Sequence, residues 1–167
     1  MNNYEKNTYV KEQITLTLLD MMQETPIDSI SIKELCDKAG VGRASFYRNY
    51  NTKEDVIKEH AATLLKSWGS EFEANPNSSI NNVFGSLFEH YRANKDIYIL
   101  IHNAGLSEII LDTIIAKVEL EPSLPNPIAY HKAFFAYGLY GWICEWISRG
   151  MPESADEINQ MLNNLHT

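Results

Sequence analysis

The 167-residue chain is short of cysteine, of positive charge and of long apolar runs. Its two cysteines, Cys36 and Cys144, are far apart and make no C-x-x-C pair. Neither a disulfide framework nor a zinc scaffold is indicated, and both residues read as small apolar core positions. The longest uncharged aromatic and aliphatic run, Ala133 to Cys144, holds 12 residues before Glu145, against the ~20 that a bilayer-crossing helix needs. Glu5, Lys6, Lys11, Glu12 and Asp20 interrupt the stretch where a secretory leader would be apolar. A cytoplasmic protein with no membrane partner is expected. Alternating apolar and polar runs are missing too, so nothing announces a sheet. There is no G-x-S-x-G, H-E-x-x-H, P-loop or dinucleotide glycine pattern, and His60, His90, His102, His131 and His166 have no metal-ligand spacing. No enzyme, cofactor or metal site is expected.

Basic residues number 14 against 22 acidic ones, a formal net charge of -8, which argues against a wholly basic nucleic-acid binder of the histone kind. The 44% hydrophobic and 22% charged content is that of a folded globular protein. Position matters more than the sum. Residues 1–58 carry 8 basic and 9 acidic side chains, whereas 59–167 carry 6 and 13. Between Lys38 and Lys53 lie Arg43 and Arg48 and no Asp or Glu, so this window is where a polyanion would bind.

What is present is helical periodicity. Val10, Ile14, Leu18 and Met21/Met22 recur three and four residues apart, predicting a first helix that ends near Thr25-Pro26. Ser31-Ile32-Lys33-Glu34 has the spacing of a capping box, opening a short helix that stops at Gly40. Thr52-Lys53-Glu54-Asp55 reads as a further helix start, with Thr52 as cap and two acids at the positive end of the dipole. After the polar break at Asn75–Ser79, Ile80, Val83, Phe84, Leu87, Phe88 and Tyr91 resume helical spacing. More helices are expected over Ile97–Ile101 and Ile109–Val118. Pro122, Pro125 and Pro127 mark a connection, a long helix runs from Ile128 to Arg149, and a last one uses Ile158, Met161, Leu162 and Leu165. The fold class expected is all-α, with about nine helices.

The most specific segment is 31–58. Two short helices separated by Ala39-Gly40-Val41-Gly42 fit a helix-turn-helix, Gly40 taking the positive φ of a helix end and Val41 plugging the angle. On a helix from Arg43 to Tyr50, Phe46 and Tyr50 fall inward, while Ala44, Ser45 and Arg48 point out, flanked by Arg43, Tyr47 and Asn49. Such a face suits a DNA major groove. Arg43 or Arg48 can donate two bonds to guanine, Ala44 can touch a thymine methyl, and Ser45, Tyr47 and Asn49 can reach phosphates or base edges. Lys53 offers its ammonium and a helix N-terminus to a phosphate. The alternative is a plain solvated face.

The run from Ser31 to Asp55 resembles the DNA-binding segment of the TetR family of transcriptional regulators, most specifically in Ala39-Gly40-Val41, the Phe46-Tyr47 pair and Thr52-Lys53-Glu54. Phe134-Phe135-Ala136-Tyr137-Gly138 through Trp146, then Arg149-Gly150-Met151-Pro152-Glu153-Ser154, is similar to the last two helices of one group of small bodies in that family. Gly42 stands where the family commonly has a serine cap, and Asn49 and Tyr50 replace a common histidine and phenylalanine. The resemblance implies an all-helical homodimer with a three-helix DNA-binding helix-turn-helix head over 1–58 and a helical body for dimerisation and effector binding over 59–167. The DNA contacts expected are Ser31, Lys33, Gly42, Arg43, Ala44, Ser45, Tyr47, Arg48, Asn49 and Lys53. The partner expected is double-stranded palindromic operator DNA, bound by a repressor that an effector releases.

In the body, Ala133–Ile147 is apolar nearly all round and must be covered on every side. Packing on its own body and on a partner subunit satisfies this, with a dimer interface at Gly138, Gly141, Trp142, Trp146, Ile158 and Leu162. The central helix of a monomer is the alternative. Phe88, Tyr91, Tyr98, His102, Tyr130, His131 and Phe134 are candidates to line an effector pocket, or else are ordinary core and surface. A small-molecule effector or a partner protein both remain open, as does a coactivator that docks to another regulator.

Overall fold

In the computed structural model, which describes residues 2–79 and 81–164, the described residues form nine α-helices and no strand. They are α1 (Asn3–Met22), α2 (Ile32–Ala39), α3 (Arg43–Tyr47), α4 (Lys53–Ala74), α5 (Val83–Ala93), α6 (Lys95–Asn103), α7 (Glu108–Lys117), α8 (Asn126–Ser148) and α9 (Ala155–Asn164). Ile80, Leu165 and His166 lie outside the described residues. The helix class is as the sequence implied. The chain divides into two compact units, Met1–His60 and Ala61–Thr167.

In the first unit α1, α2 and α3 pack on one another. Helix α1 ends at Met22, and the Thr25 amide still reaches the Met21 carbonyl before the single 3-10 turn Ile27–Ser29. The α2 start follows its capping box: the Ser31 hydroxyl accepts from the Glu34 amide at 3.1 Å while the Glu34 carboxylate accepts from the Ser31 amide at 3.0 Å. Its end is set by Gly40 at φ 66°, ψ 29°, and the Val41 amide closes back on the Cys36 carbonyl at 3.0 Å, a Schellman turn that few residues other than glycine permit. Ile14, Leu18, Ile30, Leu35, Cys36, Phe46, Val56 and Ile57 fill the interior.

The helix expected over Arg43–Tyr50 is shorter than that and ends at Tyr47. The ladder breaks at Asn49, whose amide donates to the Phe46 carbonyl at 2.9 Å while its side-chain amide takes the Ser45 carbonyl at 2.8 Å. The Asp55 carboxylate accepts from the Asn51 and Thr52 amides, both at 2.9 Å, and the Asp55 amide donates to Thr52 Oγ1 at 3.2 Å. These bonds fix the start of α4.

In the second unit α9 packs on α5, and α8 receives α6 and α7. One face of α8 is core, through Ala136, Leu139, Ile143, Trp146 and Ile147. Phe88 meets Trp146 edge-on at 5.1 Å, and the Arg92 guanidinium lies over the same indole, also at 5.1 Å. Arg92 also donates to the carbonyls of Met151 and Glu153, which holds the connection between α8 and α9. Cys36 is buried as expected, and Cys144 is only half-buried.

Candidate nucleic-acid interface

The turn at Gly40 sets α3 against α2 with Phe46 and Tyr50 inward, both buried. Arg43, Ala44, Tyr47 and Arg48 are exposed, and Ser45 and Asn49 are half-buried. Tyr47 is 59% exposed although its ring packs edge-on against Phe46 at 5.5 Å. Gly42 caps α3 with no side-chain bond, and a Cβ there would meet nothing within 4 Å. Ser31 and Lys33 lie exposed at the start of α2, with the Ser31 hydroxyl donating to the Glu34 carboxylate at 2.6 Å. The same serine holds the Glu34 carboxyl below its ordinary value, first through its hydroxyl and then through its amide.

The four cations of the acid-free window have four different surroundings. Arg43 makes no side-chain hydrogen bond among the described residues and extends from the exposed end of α3. Arg48 folds along its own helix, donating from Nε to the Ala44 carbonyl at 3.2 Å and from Nη2 to Ser45 Oγ at 2.8 Å. Lys38 pairs with Asp20 of α1 at 2.6 Å, an acid remote in sequence that folding brings to the window. Lys53 turns inward, its ammonium donating to the Ile27 and Ile30 carbonyls, each at 2.5 Å. Of the two arginines that the sequence offered for a guanine, Arg48 is thus folded onto its own helix and Arg43 is not. The phosphate contact expected of Lys53 meets an ammonium already engaged by two carbonyls.

Behind this face, Lys11 pairs with Glu59 at 2.5 Å and lies 5.5 Å from the Tyr50 ring centre. Burial works against ionisation of Glu59, but hydrogen bonds from Lys11 and Tyr50 outweigh it and hold the carboxyl below its ordinary value. Burial, and then the hydrogen bond to Glu59, pushes the Tyr50 hydroxyl up, so it stays a neutral donor. α1 is thereby pinned to the segment that follows α3.

The residues expected to line a pocket divide between core and surface. Phe88, Tyr91 and Tyr98 are buried core of the second unit, with the two tyrosine rings 4.4 Å apart. His102 is half-buried and hydrogen-bonded to Ser107 Oγ at 3.0 Å. His131 is exposed, and Tyr130 and Phe134, on the outer side of α8, are 69% and 83% exposed. Among the residues proposed for a dimer interface, Trp146, Ile158 and Leu162 are largely buried in the protomer, whereas Gly138 and Gly141 are exposed and Trp142 half-buried. Gly141, Trp142 and Met161 border a groove of about 270 Å³ between α8 and α9. Periodicity missed the outward Phe135 and Tyr137, because an all-apolar helix does not mark which side is covered.

Among the described residues no helix is long and apolar enough to cross a membrane, and no cluster of three or more His, Cys, Asp or Glu is placed to hold a metal ion. A helix pair turned at a positive-φ glycine, with a short second helix exposing arginine and tyrosine, is the architecture of helix-turn-helix regulators. The model for bacterial regulatory proteins of the tetR family matches residues 15–60, and the model for a transcriptional regulator C-terminal region of the same family matches residues 78–167. The chain belongs to the TetR family of DNA-binding transcriptional regulators. No curated protein matches it in sequence. The fold is shared with Lin0861 from Listeria innocua, a crystal structure 18% identical in sequence with a TM-score of 0.81, over 99% of this chain and 93% of that one.

Proposed function

We propose that the protein is a dimeric repressor that occupies a palindromic operator in the cytoplasm and leaves it when its body binds an effector. Residues 1–58 form the DNA-binding head, and 59–167 form the body that dimerises and takes the effector. The observation that carries the reading is the exposed face of α3, where Arg43, with no side-chain hydrogen bond among the described residues, stands beside Ala44 and Tyr47. Arg43 reads a base edge, Ala44 approaches a thymine methyl, and Ser31, Lys33, Tyr47, Asn49 and the Gly42 amide meet the backbone.

Dimerisation joins the uncovered side of α8, with Phe134, Tyr137, Gly138, Gly141 and Trp142, to its two-fold mate, and Met161 of α9 borders the seam. A two-fold pair presents two α3 helices to the two halves of a palindrome. An effector that reaches Phe88, Tyr91 and Tyr98 must displace packed aromatic side chains, so its binding rearranges the core that supports α8. No catalytic step enters this account.

The test is a gel-shift titration against the DNA upstream of the protein's own gene, with wild type and an Arg43→Ala, Tyr47→Ala variant. Preferential binding by wild type that the variant loses supports the reading. Equal, weak binding by both, with no site preference, overturns it. Co-purification of a stoichiometric second regulator by a protein that protects no DNA alone would put the coactivator reading in its place.

A further inference from the structure

One cavity of the first unit joins the helix-turn-helix to α1. It is an open groove of about 570 Å³ between the first turns of α1 and the end of α3. Lys6, Asn7 and Tyr9 line one wall, and Ser45, Arg48 and Asn49 line the other. Resting on the reading that this unit binds DNA, we propose that the groove seats the sugar-phosphate backbone of the duplex beside the major groove that α3 enters, with Lys6 and Arg48 as its cations.

Three observations support this occupant. No carboxylate lines the groove. At about 100° per residue, Glu5 and Glu12 of α1 are turned about 120° or more from the centre of the wall that carries Lys6 and Asn7. The Glu5 carboxylate is also held back at the helix start, accepting from the Asn2 amide at 2.9 Å and from Asn2 Nδ2 at 3.2 Å.

The donors are arranged for an anion. No hydrogen bond or ion pair engages the Lys6 ammonium among the described residues, so its three protons are available. Arg48 uses two N–H donors on Ala44 and Ser45, which fixes the guanidinium against α3 and leaves three of its five donors for another partner. A pre-positioned guanidinium and an exposed ammonium on the two walls of an open channel match a continuous polyanion that must pass through. Arg48 belongs both to this groove and to the exposed face of α3, so a backbone lying here is contiguous with the groove that Arg43 reads. The folded conformation of Arg48 thus assigns it to backbone rather than to base.

The experiment compares the salt dependence of binding to a short random-sequence duplex, followed by fluorescence anisotropy, for wild type, Lys6→Gln and Arg48→Gln. Lys66→Gln, in the body, is the control, and thermal melts establish that each variant is folded. Each lost phosphate contact lowers the slope of log K against log salt by about 0.9 per head. Lys6→Gln and Arg48→Gln are expected each to flatten the slope by that amount, with equal loss on any sequence, while the control keeps the wild-type slope. A folded Lys6→Gln protein with the wild-type slope overturns the groove assignment and leaves the DNA-binding reading standing. If wild type binds no duplex even at the lowest salt, the DNA-binding reading fails and the groove assignment fails with it.

Discussion

The ammonium of Lys53, in the first turn of α4, donates to the carbonyl oxygen of Ile30 at 2.5 Å. A second bond to Ile27 at the same distance makes this side chain a strut between the turn after α1 and the base of α4. Charge-assisted bonds of this kind contribute about 1.5–3 kcal/mol each at most, and half-burial here reduces that. Lys53→Met is expected to lower unfolding stability by about 1–2 kcal/mol. It should weaken DNA binding without changing its salt slope. Chemical denaturation beside a salt titration checks both, since loss of a phosphate contact would flatten the slope and spare the stability.

Arg43 and Arg48 separate in the same way. Arg43→Ala should relax sequence preference by about 1–3 kcal/mol at one base pair of each half-site, because a bidentate contact to guanine discriminates by that amount. Arg48→Ala should weaken all sequences alike. Binding to a panel of single-base operator variants measures the difference.

His90 supplies a pH signature for the body. Burial against Trp68, Tyr91 and Tyr98 lowers its pKa to about 4, partly opposed by Glu71, and its Nε2 lies 2.9 Å from the Tyr98 hydroxyl. A histidine whose folded pKa is depressed gives stability that is present above the unfolded value near 6.5 and is lost as pH falls toward the folded value. Stability should therefore drop by about 1–2 kcal/mol between pH 7 and pH 5, before most carboxylates titrate. Urea melts across this range should show the drop in wild type and a smaller one in His90→Gln. His60, also lowered by burial, contributes in the same direction.

Gly138 and Gly141 distinguish a dimer from a monomer. A Cβ at either would meet nothing within 4 Å in the protomer. In a monomer, alanine at these helical positions should therefore stabilise by about 0.5–1 kcal/mol each. In the proposed dimer the same methyl groups crowd the partner helix, and the dissociation constant is expected to rise at least about tenfold, a cost of ~1.4 kcal/mol. Light scattering against concentration, run beside thermal melts, distinguishes the two outcomes.

Much of this was legible before folding because it is local. Ser31 and Glu34 announce the start of α2, Gly40 announces its end, and the spacing of Phe46 and Tyr50 identifies the inner face of α3. The early end of α3 was not legible, since it depends on the Asn49 side chain taking the Ser45 carbonyl in place of the backbone amide. Nor was the state of the window's charges. Asp20 neutralises Lys38 from 18 residues away, and Lys53 finds its carbonyls 23 and 26 residues away. Lys6 had no signal in any motif, because its role comes from where α1 lies against α3. In the body, an all-apolar helix revealed that α8 needs cover on two sides but not which side the protomer leaves open.

The most direct measurement is sequencing of genomic fragments captured by the purified protein at moderate salt. The account expects a small set of sites with two-fold symmetry, half-sites whose centres are separated by whole helical turns of ~34–36 Å each, one of them beside the protein's own gene, and loss of all of them with Arg43→Ala, Tyr47→Ala. Capture without enrichment of any site, or the same sites captured equally by that variant, would contradict it.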